Sequence, residues 1–434
     1  MGNFIAVHVL KTTAPQLGNR GFDGSAKEII MGNVRRLRHS GPNIKKNVRD
    51  YVNASEIRTA HAELLVDKIL QSYDLPEEHM DAVGRLVCVY GFGMKETIWD
   101  KRQGAAKADN AEEDDQNEKT GAVTLVTNDI EVKAMIDTYV DLLNKLAMSD
   151  DPDDRAFFKH ILARKLSAGE KTRLQNMAEY AIQDVCVSPI QAAGGKMAAS
   201  GVTGTLDGAV RIANAFSIDE LRKEQDFWTA RFTGRATGSD ASDPFTQAVA
   251  EFCMEQNGKK NAEGMGSSEV AANTMYRYMD INVPEFLEGL NSRRAKYTKE
   301  EAIDAAVEHL PKWCEGLAVV DPCGKNHTAL SRNPATIMYV EAVEHGMPLA
   351  TNFTEPIRAK DGGRIEAQGV QKILDLATSK AFRTGTVRGY VLLDDSNKKI
   401  VSEFEDKFRA AGVKVVHSLA EMREAIASEI RKMA

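Results

Sequence analysis

A concentrated run of basic residues between positions 20 and 49 is the feature that most constrains what this chain can fold into and bind. The run contains eight basic and two acidic residues, although the whole chain of 434 residues has a formal net charge of −7. So much positive charge in an acidic chain favours a local anion-binding site over a general affinity for polyanions. The alternative is a solvated, charged helix face, which is what most charge runs are.

The pattern of this run predicts a strand followed by a capped helix. In residues 34–40, VRRLRHS, the alternation of a strand puts Arg36 and Arg38 on the same face. Ser40 then suits the N-cap position of a helix that has a proline in its first turn. The basic residues of the run are therefore expected on two adjacent elements.

The predicted helix is amphipathic. Lys45 and Arg49 lie one turn apart on one side, with Ile44 and Val48 on the next stripe. Lys45 and Lys46 also lie near the helix N-terminus, where free N–H groups and the helix dipole already favour an anion. Because cations at that end do not stabilise a helix, we interpret them as ligands for a phosphate group.

Composition predicts an ordinary globular protein. Hydrophobic residues make up 43% of the chain and charged residues 27%. No stretch approaches the roughly 20 apolar residues that a membrane helix needs, and the N-terminus lacks the pattern of a signal peptide. Five scattered cysteines favour a reducing compartment. We therefore expect a cytoplasmic protein of roughly two or three folding units, without a membrane, metal or cofactor partner.

Hydrophobic periodicity predicts an α+β fold of ferredoxin-like or RNA-recognition-motif type that contains a long helical insertion. Strands are predicted at 3–10 and 273–283, with His8 as a sheet histidine rather than a ligand. Helices are predicted within 56–187 and again from a Thr298 cap. The last fifty residues predict strand, helix, strand and helix.

Three further segments bear on nucleic-acid binding. The acidic clusters at 109–118 and 150–154 are expected to be solvated loops that repel nucleic acid, so a binding face lies elsewhere. Residues 227–235, FWTARFTGR, interleave aromatic residues with arginines. This pattern suits base stacking combined with phosphate contact, and it suits an amphipathic helix equally well.

Enzyme signatures are not found in the sequence. GGKMAASG has the glycines of a phosphate-binding loop, but Ile190 and Met197 occupy positions where that motif needs Gly and Ser or Thr. There is also no G-x-S-x-G and no H-E-x-x-H motif. We therefore expect no catalytic activity.

Several motifs resemble one known family, the CasC family of backbone subunits from the type I-E CRISPR Cascade complex. They occur in the family's order along the chain and include NFI and HVL near the N-terminus, RRLRHSGPNIKKNVR, IRTAH, GGKMAASG, DGAVRIANAF and MYRYMDINV. The resemblance implies an RNA-recognition-motif-like palm, inserted helical fingers and a thumb hairpin. The implied parts are palm at 1–55, fingers at 56–187, palm at 188–216, thumb at 217–266, and palm with a C-terminal α/β segment at 267–434.

The resemblance also implies which residues bind RNA. Lys196 and Met197 stand where the family has a basic residue followed by an apolar wedge against a base, whereas Pro42 replaces a polar family residue. Arg36 joins the candidates from the strand pattern alone. The residues implied as phosphate contacts are Arg20, Lys27, Arg38, Ser40, Lys45, Lys46 and Arg49.

The implied function is sequence-independent binding of CRISPR RNA by many copies of the subunit, which present the guide for pairing with target DNA in antiviral defence. The implied partners are CRISPR RNA, target DNA, other copies of the chain and the other Cascade subunits. Those subunits are the large subunit, the small subunit, the CasD-type end cap and the crRNA-processing endonuclease.

Two alternatives remain open. Related type III backbone subunits cut target RNA with an aspartate in the loop after the first strand, and Asp23 lies in such a loop. The chain could also be a stand-alone RNA-binding protein with an RNA-recognition-motif-like fold.

Overall fold

The computed structural model describes residues 3–22, 24–52, 62–99, 129–196, 201–202, 204–230, 264–322, 333–359, 364–379 and 387–434. Asp23, Met197 and the acidic cluster at 109–118 lie outside the described residues. So do positions 231–235 of the segment that interleaves aromatic residues with arginines.

Strands form one large sheet and one separate hairpin. Within the described residues the large sheet has nine strands in the order β11-β10-β9-β1-β8-β5-β3-β2, with β4 also paired to β8. All pairs are antiparallel except β10 with β11. The strands are β1 Phe4–Thr12, β2 Glu28–Met31, β3 Val34–His39, β4 Val210–Ile212, β5 Ala215–Ser217, β6 Lys223–Ala230, β7 Gly264–Ala271, β8 Thr274–Asn282, β9 Ile337–Val343, β10 Arg388–Leu393 and β11 Lys414–Val416.

Helices lie on both faces of this sheet and in the segment between β3 and β4. Of the helices described, none is long and apolar enough to cross a bilayer. Short π and 3₁₀ segments occur at Val87–Gly91 and Ala350–Phe353. The α-helices are α1 Gly41–Val52, α2 Ala62–Leu70, α3 Glu77–Leu86, α4 Asp129–Met148, α5 Pro152–Leu162, α6 Ala168–Gln183, α7 Pro189–Gly194, α8 Val283–Leu290, α9 Lys299–Val319, α10 Ile365–Thr378, α11 Lys398–Ala410 and α12 Leu419–Met433.

The two faces of the sheet pack against different helices, because successive strand residues point to opposite sides. Val7 and Val9 of β1 face a core shared with α1, α7, α8, α9 and α12. Ala6 and Leu10 face a second core, which α10 and α11 cover. His8 lies on this second face with its Nδ1 2.9 Å from the Tyr276 hydroxyl. The α+β fold and the buried sheet histidine are confirmed.

The helices α2 to α6 share a third hydrophobic core of their own. Helices were predicted here from apolar residues at three- and four-residue spacing, and the structure confirms them. Local sequence signals fix their ends. Asp151 accepts from the N–H of Asp153 at the start of α5, and Ser167 and Glu170 form a capping box at the start of α6.

The C-terminal elements also follow the prediction. Thr298 caps α9 through a capping box with Glu301, and residues 388–433 form the predicted strand, helix, strand and helix. The helix α10 was not predicted. The strand predicted at 273–283 is β8, which lies beside β1 in the centre of the sheet.

The strands β6 and β7 form a two-stranded sheet of their own. The predicted thumb ended at residue 266, but β7 continues to Ala271. Phe227 lies on β6 with 65% of its surface exposed. The alternative of an amphipathic helix is therefore wrong for residues 227–230, because these residues belong to β6, which pairs with β7 along its whole length.

Candidate nucleic-acid interface

The basic run folds into the strand and helix that its pattern predicts. β3 ends at His39 and α1 begins at Gly41, so Ser40 occupies the predicted cap position. Only glycine fits at position 41, because a Cβ there would lie 2.3 Å from the carbonyl oxygen of Ile212. The Gly41 N–H donates to the side-chain oxygen of Asn214 at 3.0 Å, which satisfies one free donor at the helix start.

Asn19 connects three predicted phosphate contacts that are distant in the sequence. Its main-chain oxygen accepts from the Lys27 N–H at 2.8 Å, and its side-chain oxygen accepts from the Ser40 N–H at 3.1 Å. The carbonyl of Lys27 in turn accepts from the Arg38 N–H at 2.9 Å. Lys27, Arg38 and Ser40 therefore lie together at the start of α1. Arg20 is exposed in the same loop.

The helix α1 is anchored by its apolar stripe. Ile44 and Val48, on one stripe of the helix as predicted, are buried in the core, and each contributes about 1.5–3 kcal/mol by leaving water. Lys46 is exposed, while Lys45 and Arg49 are half-buried on the flank of the helix. The three cations of α1 thus lie on a helix whose orientation is fixed by the core.

Three cations, Lys45, Arg49 and Arg211, interact on the flank of α1, and such a cluster favours an anion there. The Lys45 ammonium donates to the Val210 carbonyl at 2.7 Å. Burial, followed by the charges of Arg49 and Arg211, lowers the pKa of Lys45 to about 8, and Glu285 opposes this shift. Glu285 itself forms an ion pair with Arg211. The sequence reading missed Arg211, which belongs to β4 and reaches α1 only through the fold.

The glycines at the end of α7 lie against α1. A Cβ at Gly194 would be 3.2 Å from the Arg49 Nε, so the guanidinium packs directly on this glycine. Gly195 has a φ of +78°, which favours glycine. Lys196 then pairs with Leu206 through two backbone hydrogen bonds of 2.8 Å. The structure thus brings the two predicted RNA-binding segments together.

Lys196 itself does not reach the surface. Only 4% of the residue is exposed, and its ammonium lies 2.8 Å from a carboxylate oxygen of Glu131 on α4. Arg293 and Gln191 contact the same carboxylate. The prediction that Lys196 contacts RNA is corrected. Its ammonium instead pairs with Glu131, where the helical segment α2 to α6 meets the sheet.

Arg36 requires a similar correction. Its side chain is fully buried, and its guanidinium donates to the carbonyls of Ser217, Phe353 and Thr354 at 2.8, 3.2 and 3.1 Å. The hydrogen bonds to these three carbonyls occupy N–H groups of the guanidinium that would otherwise bind a phosphate. Arg36 therefore holds β5 and the 3₁₀ segment in place, and only Arg38 remains a candidate from this strand.

The aromatic face of the sheet is covered. His8, Tyr276, Tyr278 and Tyr339 form a group of rings whose centroids lie 5.1–6.2 Å from that of His8. All four residues are buried. These rings are packed in the core beneath α10 and α11 and offer no platform for bases. Among the residues that the structure describes, no group of three or more His, Cys, Asp or Glu side chains could hold a metal ion.

The fold and the cations around α1 define a candidate nucleic-acid-binding protein of the α+β class. The sequence model of the CT1975-like proteins matches residues 5–411, so the chain belongs to this family, Cas_CT1975. A comparison with curated protein sequences finds no match.

Two solved structures share the fold. One, described as "CRISPR RNA-guided surveillance complex, pre-nicking", aligns with a TM-score of 0.66 and 17% identity over 98% of this chain and 100% of that chain. Another, described as "CRISPR RNA-guided surveillance complex", aligns with a TM-score of 0.58 and 16% identity over 98% of this chain and 99% of that chain. At these identities the likeness establishes the fold.

Proposed function

We propose that this chain binds CRISPR RNA without regard to sequence, as the repeated backbone subunit of a type I-E Cascade surveillance complex. Membership of the Cas_CT1975 family supports a CRISPR-associated role. The solved structures that share the fold come from complexes described as CRISPR RNA-guided. The expected partners are CRISPR RNA, target DNA, further copies of the chain and the other Cascade subunits.

One observation carries the RNA-binding proposal. Asn19 brings Lys27, Arg38 and Ser40 together beside the N-terminal turn of α1. Cations, a hydroxyl and a helix N-terminus are groups that bind phosphates, and phosphate contacts fix a nucleic acid in place without reading its bases. Specificity would then come from pairing between the guide and its target, as in other RNA-guided systems.

The buried aromatic face argues against a stand-alone RNA-recognition-motif protein. Such proteins stack two or three bases on aromatic side chains of an open sheet. Here the corresponding group around His8 and Tyr276 is in the core. RNA binding on the flank of α1 fits a subunit that holds the backbone of a long guide better than one that reads a short motif.

We also propose that the chain is not an enzyme. The alternative function, cleavage of target RNA with Asp23, is tested by incubating the assembled complex with complementary RNA and Mg²⁺. We expect no cleavage by the wild type. Metal-dependent cuts that disappear in Asp23→Ala would replace this proposal with the nuclease alternative.

The binding proposal is tested by titrating two guide-length RNAs of unrelated sequence under the same salt conditions. We expect the two dissociation constants to agree within about threefold, because phosphate contacts carry no sequence information. Strong binding of only one RNA would support a sequence-reading protein. Binding of neither RNA by the chain together with its partner subunits would refute the proposal.

A further inference from the structure

The loop that precedes β2 is fastened to the hairpin strand β7 at both of its ends. At the first end, Gln16 and Ala271 exchange two backbone hydrogen bonds of 3.1 and 3.0 Å. At the second end, the N–H of Ala26 donates to a carboxylate oxygen of Glu269 at 2.7 Å. Glu269 and Ala271 are two residues apart, so they point to the same side of β7.

The Glu269 carboxylate is held in one orientation. Its side chain is only 12% exposed and lies 3.1 Å from the ammonium of Lys223 on β6. Lys223 also lies 3.2 Å from Glu28, the first residue of β2. The ion pairs of Lys223 with Glu269 and Glu28 thus connect both strands of the hairpin to β2, which begins where the loop ends.

The residue after Ala26 is Lys27, one of the candidate phosphate contacts beside Asn19. Its N–H donates to the main-chain oxygen of Asn19, so the N–H groups before and after the Ala26 Cα are held by two different partners, Glu269 and Asn19. The negative charge of Glu269, to the extent that Lys223 does not offset it, opposes RNA binding beside Lys27. Glu269 can favour RNA binding only through the position that its hydrogen bond gives to the backbone at Ala26.

We propose that Glu269 is a positioning residue for RNA binding: it holds the backbone at Ala26 so that Lys27 faces the RNA phosphate. This inference rests on the proposed function, since it assigns Lys27 to RNA. Glu269 does not itself contact the ligand. The hairpin therefore takes part in binding by ordering the loop that its strand β7 supports.

Two substitutions separate geometry from charge. Glu269→Gln removes the negative charge and keeps an oxygen that accepts from Ala26, whereas Glu269→Ala removes both. We expect Glu269→Ala to raise the dissociation constant for guide-length RNA by about tenfold, the equivalent of one lost hydrogen bond to a charged group. Glu269→Gln is expected to bind at least as tightly as the wild type. Glu224→Ala, an exposed carboxylate on the same hairpin, is the matched control.

Each outcome has a separate meaning. If both Glu269 variants bind more tightly by the same factor, Glu269 acts only as a repelling charge and the inference is wrong. If Glu269→Ala lowers the melting temperature but leaves the affinity of the folded protein unchanged, the residue is only structural and the inference is wrong again. In both cases the wild type still binds RNA, so the proposed function stands. Failure of the wild type to bind would instead refute the proposed function.

The assignment to Lys27 is checked by a double-mutant cycle. If Glu269 acts through Lys27, Glu269→Ala should weaken binding little further in a Lys27→Ala background. Full additivity of the two losses would show that Glu269 acts through another group and would overturn the inference.

Discussion

Tyr51, in the last turn of α1, donates its hydroxyl proton to Glu315 on α9, and Arg423 of the C-terminal helix α12 binds the same carboxylate. Burial and the hydrogen bond to Glu315 raise the pKa of Tyr51 to about 12, so the phenol stays protonated and remains a donor. The Glu315 carboxylate thus links the C-terminal helix to α1, the helix that carries Lys45, Lys46 and Arg49. We call this linkage through Glu315 the brace.

The brace should depend on pH in a defined direction. Burial raises the pKa of Glu315, but bonds from Arg423 and Tyr51 outweigh it, so the net pKa lies below the usual value of 4.5. Its stabilisation is therefore present above that value and is lost as pH falls through the folded pKa. We expect Glu315→Gln to lower the free energy of unfolding by about 1–3 kcal/mol at pH 7, measured by urea denaturation.

The difference between the wild type and Glu315→Gln should shrink as the pH approaches 3. The control is Glu308→Gln on the same helix, which removes an exposed pair with Lys312 and should cost less than about 0.5 kcal/mol. An effect of Glu315→Gln that is constant from pH 7 to pH 3 would contradict the brace.

The cations of α1 should determine the salt dependence of RNA binding. For single strands, log K falls with log salt concentration by about 0.7 for each phosphate neutralised. We expect Lys46→Ala and Arg49→Ala each to reduce that slope by about 0.7, equally for RNAs of different sequence. Lys399→Ala, an exposed lysine on α11, should leave the slope unchanged. If the slopes of the α1 variants are unchanged, these cations form a solvated, charged helix face and do not contact phosphates.

RNA binding should be accompanied by proton uptake at Lys45. With a pKa of about 8 in the free protein, Lys45 is half protonated at pH 8, and a neighbouring phosphate raises that pKa. Calorimetry in buffers of different ionisation enthalpy should therefore detect an uptake of about half a proton at pH 8 and little at pH 6.5.

Lys45→Met should abolish this uptake. Lys11, whose pKa is also lowered to about 8, mainly by burial, is present in both proteins, so the difference reports Lys45. Equal uptake by the wild type and the variant would show that Lys45 does not meet the phosphate.

The stability of the junction between the helical segment α2 to α6 and the sheet should depend on Glu131. Glu131→Gln keeps the shape of the side chain but removes the carboxylate that Lys196 and Arg293 share. Removing one partner of a buried ion pair costs about 3–5 kcal/mol, which denaturant unfolding can measure. In the double variant with Lys196→Met, the total loss should be clearly smaller than the sum of the two single losses. Additive losses would contradict this account of Lys196.

Local patterns were sufficient to predict the elements that carry the candidate site. The strand and helix around Ser40, the buried stripe of Ile44 and Val48, and the cap at Thr298 each depend on residues within a few positions of one another. The burial of Arg36 and Lys196, by contrast, depends on partners that are distant in the sequence. Nothing near Lys196 signals that Glu131 binds it, and nothing near Arg36 signals the carbonyls of residues 353 and 354.

Other features were missed for the same reason. Arg211 belongs to the site because β4 pairs with β8 and lies beside α1. Asn19 and Glu269 act through hydrogen bonds to the backbone, which no side-chain pattern reveals. The strand β6 has too few apolar residues for a period-two signal, so its form follows from pairing with β7.

The central claim is that several copies of this chain bind one guide. The most direct test is native mass spectrometry of the complex purified after co-expression with CRISPR RNA and the other Cascade subunits, followed by extraction and sizing of the RNA. We expect several copies per guide, with further copies of this 47.7 kDa chain added as the guide is lengthened. A chain free of nucleic acid, or one copy per RNA whatever its length, would contradict the backbone role.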